Sequence, residues 1–421
     1  MIVLKILPVI LALLGTPLFI VIAALALLSF HGAEVDLSVV TIAMARLSDT
    51  PLLLSLPLFI FAGTLLSDSG TPGRILALSK ALLGWLPGGL GVITLLISAV
   101  FTAFTGASGV TIFALGGLLF PAMIKDRYSE KFSLGLITTA GSLGLLFPPS
   151  LPLILYGVVS GARVDHLFLA GLLPGLLMLV LLAGYTIKVG QTIPAQKFVF
   201  SQIEIKKALR EAIWELPLPF IIFGGIYGGF FVVGEAAAIT ALYVILIEVF
   251  IYRDIPIRSL PAIMAKSTAL FGGIFMVLAA SMASTDFLID QQIPNKLFTL
   301  IQAHITSKYS FLLLLNIFLL IVGALLDIFS ALILVVPLII PIAEAYGINM
   351  VHLGIIFLTN LQIGYCTPPV GLNLFLASYR FDQPIFRLYR ATIPFLGLLL
   401  LTLIIITYVP QLSLFLIELL N

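Results

Sequence analysis

Residues 391–408, ATIPFLGLLLLTLIIITY, contain no charged side chain, and neither do residues 6–30. Runs of this length constrain a fold more than any short motif does. A helix rises 1.5 Å per residue, so ~20 apolar residues cross the hydrocarbon core of a bilayer. Inside that core the backbone polar groups must pair within the segment, which makes such runs helices. The chain is 61% hydrophobic and 10% charged, where soluble domains carry roughly 25% charged residues. An all-α polytopic membrane protein is therefore expected. The run 6–30 follows Lys5, but it is far longer than the ~7–15 apolar residues of a secretory signal. It reads as a retained first helix, with the N-terminus expected on the cytoplasmic side.

Several function classes fall away at once. A formal net charge of +2 gives no footprint for nucleic acid. Cys366 is the single cysteine, so there is neither an internal disulfide nor a cysteine metal cluster. His31, His166, His304 and His352 lie far apart in sequence. No Gly-Lys pair occurs, so a P-loop ATPase site is missing from this chain. Transport work, if done, would draw on an ion gradient or another chain.

The longest polar interval is 188–215. Its later part sets Ile203, Ile205, Leu209, Ile213 and Trp214 among Lys206, Lys207 and Arg210, which reads as an amphipathic helix on the membrane surface. This interval separates two related halves, 1–187 and 234–421, with 188–233 as linker, arm helix and connecting helix. Pro121, Gly144, Pro148, Pro149 and Pro174 recur as Pro341, Gly364, Pro368, Pro369 and Pro394, each pair 220 residues apart. Duplicated halves with hydrophobic segments interrupted at matching positions point to a secondary transporter. Charge indicates how the halves face. The loop between Pro121 and Gly144 holds Lys125, Arg127 and Lys131, whereas its counterpart 343–352 holds no Lys or Arg. The loops after the breaks reverse that bias: Arg163 alone in the first half, but Arg380, Arg387 and Arg390 in the second. The positive-inside rule then predicts an inverted repeat.

The interrupted segments read GLLFPPSLPL (144–153) and GYCTPPVGLN (364–373). A helix broken in lipid leaves N–H and C=O groups unpaired at several kcal/mol each, tolerable only inside protein or a wet cavity. Freed carbonyls suit a small hard cation, and half-helix N-termini suit an anion. A kink used only for packing is the plain alternative. Upstream of each break, residues 101–117 and 321–337 are irregular and flanked by arms too short for comfortable spanning. They are expected to be re-entrant helical hairpins, with Gly106, Ser108 and Gly109 at the first tip and Gly323 and Asp327 at or near the second. Thr105 and Ser108 offer hydroxyls. Asp327 is a carboxylate in an apolar stretch, where a functional role is the default expectation; a helix cap is the alternative. Asn373 follows the second break and can reach a cavity. Asn360 and Gln362 fit packing hydrogen bonds equally well, and Glu235 fits a helix cap.

These segments together resemble the large membrane subunit of the tripartite ATP-independent periplasmic (TRAP) transporters. The resemblance is carried by LPLFIFAGTLLSDSG (56–70), FPPSLPLILYGVVSG (147–161), LFLAGLLPGLL (167–177), GIYGGFFVVGEAAAITALY (225–243) and VHLGIIFLTNLQIGYCTPPVGLNLFLAS (351–378). It implies Na⁺-driven import of an organic anion, such as a C4-dicarboxylate or sialic acid, across the bacterial inner membrane. It also implies an inverted repeat with two re-entrant hairpins, two broken helices and elevator-type movement. The implied partners are a small four-helix membrane subunit, a soluble periplasmic binding protein and the lipid bilayer. Carried over by position, the resemblance assigns sodium to Gly106, Ser108, Gly144 and Pro148, and to Gly323, Gly364 and Thr367. Ser108 and Asp327 would lie beside the solute, with Thr105 and Asn373 as further solute contacts. Two departures stand out: Val110 replaces the family's second hairpin serine, and 232–235 read Val-Val-Gly-Glu rather than Thr-Pro-Thr-Glu. A single-chain Na⁺- or H⁺-coupled anion symporter is the nearest alternative. An intramembrane enzyme is not expected. No second aspartate sits at protease spacing, no HExxH occurs, and Ser108 has no histidine near it in sequence.

Overall fold

The computed structural model describes residues 8, 10–11, 15–47, 50–193 and 201–420, and all regular structure among them is helical. Among the described residues eight helices are long and apolar enough to cross a membrane, or nine if one bent pair counts as a span; Ser108–Lys125, Lys308–Leu325 and Ile328–Ala345, expected to be too short to span, are among them. The protein is a multi-pass membrane protein. Much of the expected first helix falls outside the described residues; the helix described there is Leu18–Gly32. Residues 194–200 of the linker also lie outside them.

The two halves repeat the same sequence of elements. Gly89–Thr105 and Ser108–Lys125 form a first helix pair, Lys308–Leu325 and Ile328–Ala345 a second. The second arms, Ser108–Lys125 and Ile328–Ala345, start and end 220 residues apart. Each pair is followed by a broken helix. Glu130–Ala140 leads through a 3₁₀ turn, Leu143–Leu146, to Leu151–Ser160, with a 45° bend. Met350–Gly364 leads to Leu372–Phe381. Local chemistry sets both ends of these segments. Ser129 and Asn349, also 220 apart, cap the two starts by accepting from Phe132 N and from Val351 N and His352 N. The second helix stops at Gly364, four residues before Pro368, whose missing N–H cannot continue it, whereas the first stops at Ala140 and only its 3₁₀ turn runs up to Pro148. Both Pro–Pro bonds, 148–149 and 368–369, are cis.

Packing shows the same duplication. Each first arm lies against the broken helix of its own half, while each second arm lies against the half-helix of the other half. Thus Ser108–Lys125 meets Leu372–Phe381, where Arg380 Nε donates to Phe113 O at 3.0 Å. Ile328–Ala345 meets Leu151–Ser160. The two breaks touch at the centre, where Ser142 Oγ donates to Gln362 O at 3.3 Å; these positions are themselves 220 apart. Tyr156, fully buried, donates to Met350 O at 2.8 Å and locks the first half-helix to the second broken helix. One difference separates the pairs: the first pair's arms pack together, whereas those of the second barely touch.

The remaining helices include Ser55–Asp68, Val164–Gln191, Val233–Ile245 with its π-helical extension to Ile251, Leu260–Asp290 and Ile385–Tyr408. The arm helix Gln202–Glu211 is present as expected and packs on Thr71–Leu83. A charge cluster fastens this corner. Arg74 pairs with Glu215, with Glu248 at 3.0 Å and with Asp254 at 2.5 Å. Its guanidinium lies 3.7 Å from the Tyr252 ring centroid. Burial works against the charge of Arg74. Hydrogen bonds to Asp254 and Glu215 and the charges of Glu215 and Glu248 outweigh it, so its pKa lies above the usual arginine value.

Candidate functional site

The expected site residues gather where the helix pairs meet the breaks. At the first tip, Thr105 ends one helix and Ser108 begins the next. Gly106 turns the chain at φ 64°, a left-handed conformation that favours glycine. A Cβ there would lie 2.3 Å from Leu151 Cδ1, so the tip is seated on the start of the first half-helix. Ser108 and Thr105 are both buried, and Thr105 Oγ1 has no hydrogen-bond partner. The N-cap residue is Ala107, whose side chain cannot accept a hydrogen bond.

Gly144 serves close packing. A Cβ on it would lie 2.2 Å from Ala99 O, so the 3₁₀ turn sits directly on the backbone of Gly89–Thr105. Its carbonyl accepts from Phe147 N at 3.0 Å. Pro148 is buried in the break itself. Thr102 Oγ1 donates to Gly141 O at 2.9 Å and ties the first arm to the same segment.

At the second tip Asp327 is the N-cap of Ile328–Ala345. Its Oδ1 accepts from Phe329 N and Ser330 N, both at 3.0 Å, and its Oδ2 accepts from the Ser330 hydroxyl. The capping alternative is thus realised, whatever else this exposed carboxylate does. Tyr365, buried in the second break, takes the next donor: its hydroxyl accepts from Ile328 N at 2.6 Å. Gly323 and Gly364 meet face to face, since a Cβ on Gly364 would lie 2.5 Å from Gly323 C. Small residues at such crossings let helix backbones approach closely in membranes. Gly371 N donates to Ala324 O at 3.0 Å, joining break and arm a second time. Thr367 Oγ1 is turned onto Ile363 O at 2.9 Å.

Asn373 joins the halves. Fully buried, it donates from Nδ2 to Thr138 O at 3.2 Å, and its Oδ1 has no partner. Thr139 Oγ1 and Thr359 Oγ1, again 220 residues apart, are also buried without partners. Oxygens of this kind are costly to bury unless something else satisfies them. Neutral hydroxyl and amide oxygens are hard donors and fit an alkali cation chemically. Among the described residues no group of His, Cys, Asp and Glu could hold a metal ion.

Sequence reasoning did not single out Tyr365, nor the interhelical network beside it. Asn360 Nδ2 donates to Asn316 Oδ1 at 2.8 Å, and Asn316 Nδ2 donates to Thr407 Oγ1 at 3.0 Å. Tyr365 lies within the second break, but nothing in a sequence says which N–H its hydroxyl reaches. Asn360 behaves as a packing residue, one of the two roles its position allowed. Glu235 caps its helix, accepting from Val232 N at 3.0 Å.

The sequence model of the tripartite ATP-independent periplasmic transporter, DctM component, matches residues 4–412. The C4-dicarboxylate TRAP transporter large permease protein DctM of Pseudomonas aeruginosa is 35% identical over 364 residues, covering 86% of this chain and 85% of that protein. The ectoine TRAP transporter large permease protein TeaC of Halomonas elongata is 32% identical over 413 residues, covering 96% of each. Among solved structures, the YdaH transporter of Alcanivorax borkumensis shares the fold with a TM-score of 0.58 at 16% identity, covering 85% of each chain. Matched over nearly its whole length, the chain belongs to the DctM family and is the large permease of a TRAP transporter, a transport protein rather than an enzyme.

Proposed function

We propose that the chain imports a small organic anion across the bacterial inner membrane, driven by Na⁺, with the solute delivered by a periplasmic binding protein. A small membrane subunit completes the assembly. The observation that carries this reading is the convergence of two helix tips on two broken helices, with Thr105 Oγ1, Thr139 Oγ1, Thr359 Oγ1 and Asn373 Oδ1 all buried and unpartnered. Relatives named for C4-dicarboxylate, isethionate and ectoine are consistent with a small organic solute.

The two tips take different parts. Helix N-termini attract anions through their N–H groups and the helix dipole. At Ile328–Ala345 those groups are already taken by Asp327 and Tyr365. At Ser108–Lys125 no side chain takes them, so the solute carboxylate is assigned to the first tip, beside Ser108 and Thr105. Asn373 adds a solute contact from the second half. Sodium is assigned to the hairpin–break junctions, around Gly106, Ser108, Gly144 and Pro148, and around Gly323, Gly364 and Thr367. Bound there, it would supply positive charge beside the anion and draw the tips onto the breaks. The re-entrant pairs and broken helices, related by an inverted repeat, then move as one elevator-type body against the other helices.

Melting temperature against NaCl, with KCl and choline chloride at equal ionic strength, tests sodium directly. Binding to the folded state alone stabilises by about 2.7 kcal/mol at a hundredfold excess over Kd. A saturable rise with Na⁺ only is expected. Identical curves in Na⁺ and K⁺ would remove sodium coupling and bring proton coupling through Asp327 forward.

A further inference from the structure

We propose that the outward face of the arm helix Gln202–Glu211 is a binding surface for anionic phospholipid headgroups. The inference rests on membrane residence alone and not on the transport reading. Ala208 and Ala212 are buried against Leu78 and Ala81 of the neighbouring helix. Successive helical residues lie about 100° apart, so Lys206, Lys207 and Arg210 stand on the opposite side, together with Ile203. The acidic residues Glu204 and Glu211 fall on the flank between the two faces. The outward face therefore carries three cations and no carboxylate. Among the described residues none of the three cations is ion-paired.

Ile203 shares that face and is 82% exposed; Leu209 is exposed on the other flank, and Ile213 and Trp214 are exposed just past the helix end. The chain then enters the apolar helix Pro217–Tyr227, whose Phe220 is 76% exposed. A basic, apolar helix face next to a tryptophan and an entering apolar helix is the arrangement that lies at the headgroup level.

The arm cannot roll to hide these cations. Tyr252 Oη lies 2.6 Å from Glu211 O and 2.8 Å from Glu215 Oε2, with its one proton for either, Tyr243 Oη donates to Trp214 O at 2.8 Å, and Glu215 pairs with Arg74. Residues 211–215 are fixed from the protein side. Charge complementarity then selects the occupant, because an uncharged headgroup gains little from three unpaired cations.

The chain has two tryptophans, so Trp85→Phe leaves Trp214 as the reporter. That variant is reconstituted into phosphatidylcholine vesicles containing brominated-tail phosphatidylglycerol or, at the same fraction, brominated-tail phosphatidylcholine. Stronger quenching of Trp214 by the anionic lipid is expected, with a local enrichment of roughly fivefold for each cation engaged. The preference should collapse at high salt and in Lys206→Gln/Lys207→Gln/Arg210→Gln. Equal quenching by the two lipids would overturn the proposal. So would a preference unchanged in the triple variant. Absence of quenching by either lipid would show the face covered by protein, and would overturn it too. If the triple variant melts early, the single substitutions Lys206→Gln and Arg210→Gln, which leave the fold's contacts intact, carry the same comparison.

Discussion

At residues 105–108 the chain turns through Gly106, left-handed, and Ala107, extended; at 325–328 it turns through Leu326 and Asp327, both extended. The helices that follow are both 18 residues long and start 220 positions apart. One begins behind an alanine with no capping group. The other begins behind an aspartate that accepts from two N–H groups and a hydroxyl, with Tyr365 accepting from a third N–H. A duplicated element has kept its lengths and exchanged its polar ends. The uncapped end has N–H groups to offer a ligand, and the capped end has spent them on its own stability. The first tip is also built tightly, arm against arm and Gly106 against Leu151, whereas the arms of the second pair barely touch.

Gly106→Ala should have the largest effect. A left-handed alanine costs roughly 1–2 kcal/mol, and a Cβ within 2.3 Å of Leu151 Cδ1 adds an overpacking penalty of typically 1–3 kcal/mol. The repeat-related Leu326 has φ −111°, which any residue adopts, so Leu326→Gly, set against Leu326→Ala to separate out the lost packing of its half-buried side chain, should show no gain from a glycine there. Thermal melts of these variants measure the contrast, and a Leu326→Gly that melts above Leu326→Ala would erase the distinction between a strained and an unstrained tip.

Tyr365→Phe comes next. It removes the acceptor of a buried backbone N–H and leaves that donor unsatisfied, at about 1–3 kcal/mol. Asp327→Ala should cost less, about 1 kcal/mol, the usual value of a lost N-cap. If both variants melt like the parent protein, the second tip is not self-capped in the way its geometry indicates.

Much of this contrast was hidden in the sequence, and the reason is physical. Breakers are legible because proline and glycine act locally: Pro148, Pro149, Pro368 and Pro369 stand in the non-helical breaks, and the register of 220 exposes the duplication. Long apolar runs were legible because a bilayer admits few backbone solutions. The paired helices turn at 106–107 and 326–327, so Gly106, Ser108 and Asp327 stand at the turns, whereas Gly109 and Gly323, expected there too, lie inside helices. Side-chain partners were not legible, since they depend on what tertiary packing brings near. Asp327 reads equally as functional or as a cap, but only the structure shows its oxygens on Phe329 N, Ser330 N and the Ser330 hydroxyl. Gly144, Gly323 and Gly364 read as ligand-facing, yet each is also the point where one backbone sits on another. The cluster of Arg74 with Glu215, Glu248 and Asp254 draws on positions up to 180 residues apart, and no local pattern announces it.

Ala107→Asp sharpens the comparison with the smallest change in stability. It transplants the second tip's cap to the equivalent position of the first, which should stabilise the helix Ser108–Lys125 by up to about 1 kcal/mol. The same carboxylate would occupy the N–H groups assigned to the solute and place a negative charge beside an anion. A variant that melts higher yet takes up solute poorly is therefore expected, with the loss in affinity rather than in folding. Ser108→Ala supplies the control: its hydroxyl makes no protein hydrogen bond that the helix needs, so stability should hold while solute affinity falls. If Ala107→Asp transports normally, the first tip is not where the anion is held, and the unpartnered oxygen of Asn373 on the second half becomes the place to look.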